Sequence, residues 1–303
     1  MHTKSIDKKL GHFLALVLII SCVCVFGTEV NAYGVGVVIV ESKDTEVSRN
    51  IISGIESIIM SKAFVIDADA VGTLAGPKPK AFITIGSEAL IAVKNLGVPV
   101  IFSATAHPRS LGIEGGQITG VDFFISPDTQ FDQIRAVLPK ALRVGIVYSP
   151  YLSDYILDSV KEAAEDKGFV IISRVVKSPE EAVLAINKMT DVDVILMLPD
   201  VAVTTLDMVK HLMVFSVDHK IPVVGLSEKY VEKGALMAVG INARLLGQQI
   251  GKLTNRVLFG EKASSIPIEP VKDGSLYINA GIAKNFNLQI LHEVLKRANL
   301  YGF

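Results

Sequence analysis

Cysteine is almost absent from this chain of 303 residues: there are two, Cys22 and Cys24, and both fall within its first 32 residues. Beyond that point there is no disulfide to form, no thiol nucleophile and no thiolate metal ligand. A run of like charge is also missing. Without residues 1–32 the chain carries 27 basic and 29 acidic side chains, a near-neutral balance that argues against nucleic acid as a partner. No apolar run after the first thirty residues is long enough to cross a bilayer, so the chain beyond them is expected to be soluble. The motifs of several enzyme classes are absent too. No G-x-G-x-x-G opens a helix, and there is no P-loop, G-x-S-x-G elbow or H-E-x-x-H. His107, His211, His219 and His292 have no metal-ligand spacing. Neither cofactor nor metal is expected, and no catalytic constellation is visible.

The beginning of the chain has three parts. Lys4, Lys8 and Lys9 form a basic stretch, HFLALVLIISCVCVF is an apolar core, and Val30-Asn31-Ala32 suits cleavage after Ala32. That is the pattern of a secretory signal peptide over residues 1–32, so export to the periplasm is expected. Ile19-Ile20-Ser21-Cys22 is a loose lipobox and keeps lipid anchoring at Cys22 as an alternative. The thiol-free remainder of 271 residues suits an oxidising compartment.

The rest alternates. Val35 to Glu41, VGVVIVE, is nearly continuous β-branched and apolar, as in a strand buried on both faces of a parallel sheet. Val47, Ile51, Ile55, Ile58 and Ile59 follow at helical spacing, with Asp44 or Thr45 as cap. Strands are expected at Phe64–Asp67, Ala81–Gly86, Val98–Ser103 and Ile118–Phe124, with helices at Ser87–Asn95 and Pro127–Leu138. Asp69–Pro79 holds at best one helical turn. At Leu142 the pattern starts again, with strands at Arg143–Tyr148, Val170–Val176, Val192–Leu198, Ile221–Leu226 and Ala235–Ile241. The helices between and after them are Ser153–Lys167, Pro179–Met189, Val201–His219 and Ala243–Phe259, the last ended by Gly260. The tail adds a strand at Ser275–Asn279 and helices at Ala280–Phe286 and Ile290–Ala298. This order implies an α/β fold of βαβ units. The repetition implies two lobes, 33–141 and 142–265, with a tail 266–303 packing back across them.

Open α/β sheets bind ligands at the carboxyl ends of their strands, so the polar residues there are the candidates. Gly86 and Ser87 sit at a strand-to-helix turn, where Ser87 is either an ordinary N-cap or part of an anion site. Tyr148 and Ser149 end the strand at the midpoint; they either line a cleft or belong to a Ser-Pro turn. Asp200 either caps the following helix or meets a ligand amine. Ser103-Ala104-Thr105 would let a ligand approach the backbone, while His107 close by lacks a partner for catalysis. Ser227, Glu228 and Tyr230 form the matching loop of the second half, and Tyr230 is either an aromatic wall or simple packing.

These stretches together resemble the periplasmic substrate-binding proteins of ABC transporters, of tryptophan/tyrosine type. The resemblance rests on TIGSEAL with VPVIFSATAHP, then QITGVDF, RVGIVYSP, EAAEDKGF, VDVILMLPD, KIPVVGLSEKYVEKGALMAVGIN, LGQQIGKLTNRVLFGEKASSIPIE and INAGIAKNFNL. It covers nearly all of the chain after residue 32. It implies two Rossmann-like lobes with parallel sheets (the type I periplasmic-binding-protein arrangement), closing by a hinge on a small amino-acid-like ligand. The implied partners are an inner-membrane permease and its ATPase, with the binding protein itself a monomer. By position, the implied ligand residues are Ser87, Glu88, Ala104, Thr105, Tyr148, Ser149, Asp200, Ser227 and Glu228; Tyr230 is added from its loop. The family's usual Asp after A-x-x is His107 here, and its P-x-D-N becomes Pro199-Asp200-Val201. A sensor of the same fold signalling to a membrane receptor, and an exported enzyme on a doubly wound sheet, are the alternatives.

Overall fold

The computed structural model describes residues 36–105, 108–113, 116–152, 154–200 and 203–302. The expected signal segment with Cys22, and His107, lie outside them.

The first sheet begins with β1 (Val37–Glu41), all five residues of which are buried. Helix α1 (Glu46–Glu56) follows, started by Thr45: its hydroxyl accepts from Ser48 N, and Ser48 Oγ accepts from Thr45 N. That reciprocal pair satisfies two amides the helix itself cannot. Strands β2 (Ala63–Asp67), β3 (Ala81–Ile85), β4 (Val100–Ser103) and β5 (Ile118–Ile125) complete the half, with helices α2 (Ser87–Val93) and α3 (Pro127–Val137). Between β2 and β3 the chain makes only a 3₁₀ turn, Ala68–Thr73.

The second half supplies β6 (Arg143–Tyr148), α4 (Asp154–Asp166), β7 (Val170–Val175), α5 (Pro179–Asn187), β8 (Val194–Leu196) and α6 (Leu206–His219). After these come β9 (Val223–Gly225), α7 (Glu228–Glu232), β10 (Met237–Ile241) and α8 (Ala243–Leu258). The chain ends with β11 (Glu269–Val271), β12 (Gly274–Asn279), α9 (Ala280–Asn285), α10 (His292–Lys296) and β13 (Asn299–Tyr301).

The strand orders carry the repetition. One sheet runs β11-β5-β4-β3-β1-β2 and the other β13-β12-β10-β9-β8-β6-β7. With β11, β12 and β13 set aside, each half is laid down second-first-third-fourth-fifth, so each sheet reverses direction of winding beside its first strand. Those two points, between β1 and β3 and between β6 and β8, are where such sheets leave a crevice. The expected α/β fold with two mainly parallel sheets is thus the one observed. The exception is β12, which pairs antiparallel with β10.

Sequence order misplaces one segment. Although α8 and β11 follow the second half, α8 packs along α1, and β11 pairs with β5. The α1–α8 approach is close because both helices offer glycine: a Cβ on Gly54 would lie 2.1 Å from Arg244 O, and one on Gly247 would lie 2.0 Å from Ile51 O. Among the described residues the chain therefore passes between the sheets three times, near Leu138–Leu142, Ile241–Ala243 and Lys272–Gly274. Arg135 holds the first passage. It donates to the carbonyls of Pro139, Ala141 and Lys167, and its guanidinium lies 3.9 Å from the Phe169 ring centroid. An apolar cluster continues from Ile39 and Ile83 through Ile125 and Val271 to Val239 and Leu276. Among the described residues, no helix is long and apolar enough to cross a membrane.

Candidate functional site

In the second sheet, three of the expected residues meet at the reversal point. β6 delivers Tyr148 half-buried against the core, and Ser149 follows it, buried. Asp200, four residues past the end of β8, is buried beside them. Its Oδ2 accepts from Ser149 N at 2.7 Å and from Ser149 Oγ at 2.9 Å. Asp200 is therefore not the cap of α6. That helix begins at Leu206 rather than Val201, and Thr205 caps it. Burial without donors would be costly for a carboxylate; two donors from one serine stabilise it and fix the turn that presents Tyr148.

The β9–α7 loop carries the rest of this set. Ser227 is the N-cap residue of α7, but its hydroxyl makes no capping bond. The hydroxyl of Tyr301, in the last strand, donates to the Glu228 carboxylate, which is thus engaged by the tail. Tyr230 packs half-buried against a core cluster with Leu226, and burial raises its phenol above the usual tyrosine range. Lys233 Nζ is 5.9 Å from its ring centroid.

In the first sheet, Ser87 is not the cap of α2 but its first residue. Gly86 holds the N-cap position at φ +101°, and no side chain of its own stretch caps the helix. The cap oxygen comes from Ser42: Ser42 Oγ accepts from Ala89 N at 3.0 Å, while Ser42 N donates to Ile85 O. Gly86 is required there, since a Cβ would lie 2.4 Å from Ser42 Oγ. Glu88 points instead into an acidic groove of about 470 Å³ lined by Ser42, Asp67, Ala68, Asp69 and Ala70.

β4 ends in a strained turn. Ala104 has φ +50°, a left-handed conformation costing roughly 1 kcal/mol or more for a residue with a Cβ. Buried Thr105 donates to Ser103 O at 3.1 Å, and Gly86 N donates to the same carbonyl, so the β3 and β4 ends are tied together. A larger hollow of about 870 Å³ adjoins Leu138, Lys140, Asp193 and Lys220 at the amino edge of the second sheet, and none of the expected residues lines it.

Two residues at the first reversal point escaped the sequence reading: Glu41 and Ser42. The sequence held a signal for them. Ile39-Val40-Glu41-Ser42 ends β1 as Ile146-Val147-Tyr148-Ser149 ends β6, so Glu41 stands where Tyr148 stands in the other half.

Two of the histidines have local partners. His211 Nε2 lies 2.8 Å from Asn187 Oδ1, and His219 stacks on Phe215 with Nδ1 3.0 Å from that residue's carbonyl. Among the described residues, no group of three His, Cys, Asp or Glu side chains is placed to hold a metal ion.

With this geometry in view, the chain was compared with known proteins. Residues 66–301 match the family model described as ABC transporter substrate binding protein. A tyrosine-binding protein of Clostridioides difficile (strain R20291) is 26% identical over 204 residues, 64% of this chain and 58% of that protein. The chain thus spans less than two thirds of that relative's length. Among solved structures, an ABC domain in complex with L-Trp from Streptococcus pneumonia is similar at TM-score 0.52 and 24% identity, over 87% of this chain and 99% of that one. A ligand-free, open substrate binding protein with adhesive properties from Clostridium difficile gives TM-score 0.65 at 19% identity, over 88% and 98%. At these identities the two structures speak to the fold.

Proposed function

The chain belongs to the ABC transporter substrate-binding protein family, and on that footing we propose that it is an exported receptor for a small amino-acid-like ligand. The ligand lies between the carboxyl edges of the two sheets and is released to a membrane permease driven by an ATPase. The family is one of solute-binding proteins rather than enzymes, and the chain is assigned no catalytic step.

The observation that carries this reading is the extent of the family match, which runs through both sheets from β2 to β13. The strand ends support it. Tyr148 and Tyr230 offer aromatic surface to a side chain, and Ser149 offers a hydroxyl held in place by Asp200. Ala104 and Thr105 bring backbone close, and the amides at Ser87 and Glu88 suit a carboxylate. Because Asp200 Oδ2 already takes two donors from Ser149, we assign Asp200 to holding that turn rather than to the ligand's amine. Closure is a hinge motion about the three passages between the sheets, selected by a ligand that touches both. The relative and the solved structure named for tyrosine and L-Trp favour an aromatic amino acid.

The test is a thermal-shift screen of the purified protein against the twenty amino acids, with mass spectrometry of any small molecule carried through purification. A ligand at about a hundred times its Kd adds about 2.7 kcal/mol to stability and raises the melting temperature visibly. A flat response to all twenty, with no carried amino acid, contradicts the reading.

A further inference from the structure

Glu41 is the last residue of β1 and lies at the reversal point of the first sheet. It is 8% exposed, and its Oε2 is buried without a hydrogen-bond partner. On the same row, in register through Ile85, stands Ser103 at the end of β4. Its Oγ is also buried and unpartnered, with the residue 0% exposed. Residues in register in a parallel sheet share a face, so the two groups point to the same side, that of Ile39 and Ile83, about two strand spacings or roughly 10 Å apart. Buried polar atoms are nearly always bonded, and a carboxylate oxygen with no donor costs more than most. The chain leaves both at the edge where α/β sheets take ligands, beside a left-handed Ala104. In the second sheet the matching place is filled by Tyr148, whose neighbour Ser149 is fully bonded.

We propose that Glu41 is the acceptor for the ligand's ammonium group, with Ser103 Oγ as a secondary polar contact on the same face. This rests on the reading of the protein as an amino-acid receptor, and it specifies that the receptor requires the free amine. The residue lies before the stretch matched by the family model. A primary ammonium brings donors and a positive charge, which suits a buried carboxylate oxygen that lacks a partner; a solute with hydrogen in place of that group leaves Glu41 unsatisfied.

The experiment is calorimetry on the wild-type protein and Glu41→Gln with two probes. One is the amino acid bound most tightly of the twenty, L-tyrosine being tried first; the other is the same molecule with hydrogen in place of the amino group. The wild type is expected to prefer the amino acid strongly. In E41Q its affinity for the amino acid falls ~10- to 100-fold, while that for the des-amino probe is unchanged. The ligand-free E41Q melts at or above the wild-type temperature, because a neutral amide replaces a carboxyl whose buried Oε2 has no donor; a structural carboxylate would instead lower it. If E41Q does not give folded protein, Glu41→Asp decides: a loss confined to the amino acid supports the assignment, and equal losses for both probes overturn it. Retention of the wild-type preference in E41Q overturns it while leaving the receptor reading intact. A wild type that binds no amino acid removes both.

Discussion

Ser149 and Asp200 close the ends of two adjacent strands on each other: amide and hydroxyl of the serine both donate to the single oxygen Asp200 Oδ2, at 2.7 and 2.9 Å. Replacing the carboxylate strands two buried donors. We expect Asp200→Ala to cost about 2–3 kcal/mol in urea unfolding, and Asp200→Asn less, since its amide oxygen can still accept. Ligand affinity should fall with both, because Tyr148 is carried on the same turn. Wild-type stability in D200A would show that the pair does not organise the strand ends.

The α1–α8 contact gives a second expectation. Gly54→Ala and Gly247→Ala each place a methyl about 2 Å from a backbone carbonyl that has nowhere to retreat. Either should destabilise by about 3 kcal/mol, the upper part of the range for overpacking. Equilibrium unfolding followed by circular dichroism measures it. The double variant should cost less than the sum, since both methyls push the same helices apart. Neutral behaviour would mean that α8 is not seated on the first lobe.

Asp193 sets a pH dependence. Burial raises its pKa, but the amides of Arg143 and Leu142 and the Arg143 guanidinium outweigh that, and the net shift is downward. A carboxyl lowered in the folded state stabilises above its unfolded pKa, and that stability is lost as pH falls through the folded value. The urea midpoint of the wild type should therefore drop between roughly pH 5 and 2 more steeply than that of Asp193→Asn. Parallel curves for the two proteins would contradict the assignment.

How far the sequence carried the reading depends on the range over which each feature is decided. β3 and β6 were legible to within a residue because apolar runs bounded by Gly, Pro or Ser decide them locally. The cap of α2 was not. Its oxygen belongs to Ser42, 47 residues before Ala89, and no local pattern contains it. The partner of α8 was equally hidden, since an amphipathic stripe does not name the sheet it covers; only the glycines at 54 and 247 record the contact. β11 and β13, at three residues each, are too short to show alternation. For the site, the strand-end rule found Tyr148, Ser149 and Asp200, which do gather. It did not single out Glu41, which ends β1 where Tyr148 ends β6.

Whether the protein is an amino-acid receptor is decided by titration calorimetry of the purified protein with L-tyrosine, L-tryptophan and the remaining amino acids. One-to-one binding of at least one of them is expected, an aromatic one first, weakened by substitutions at strand ends of both sheets, such as Glu41→Gln in the first and Tyr148→Ala in the second. No binding by any of the twenty, or binding indifferent to changes in both sheets, would contradict it.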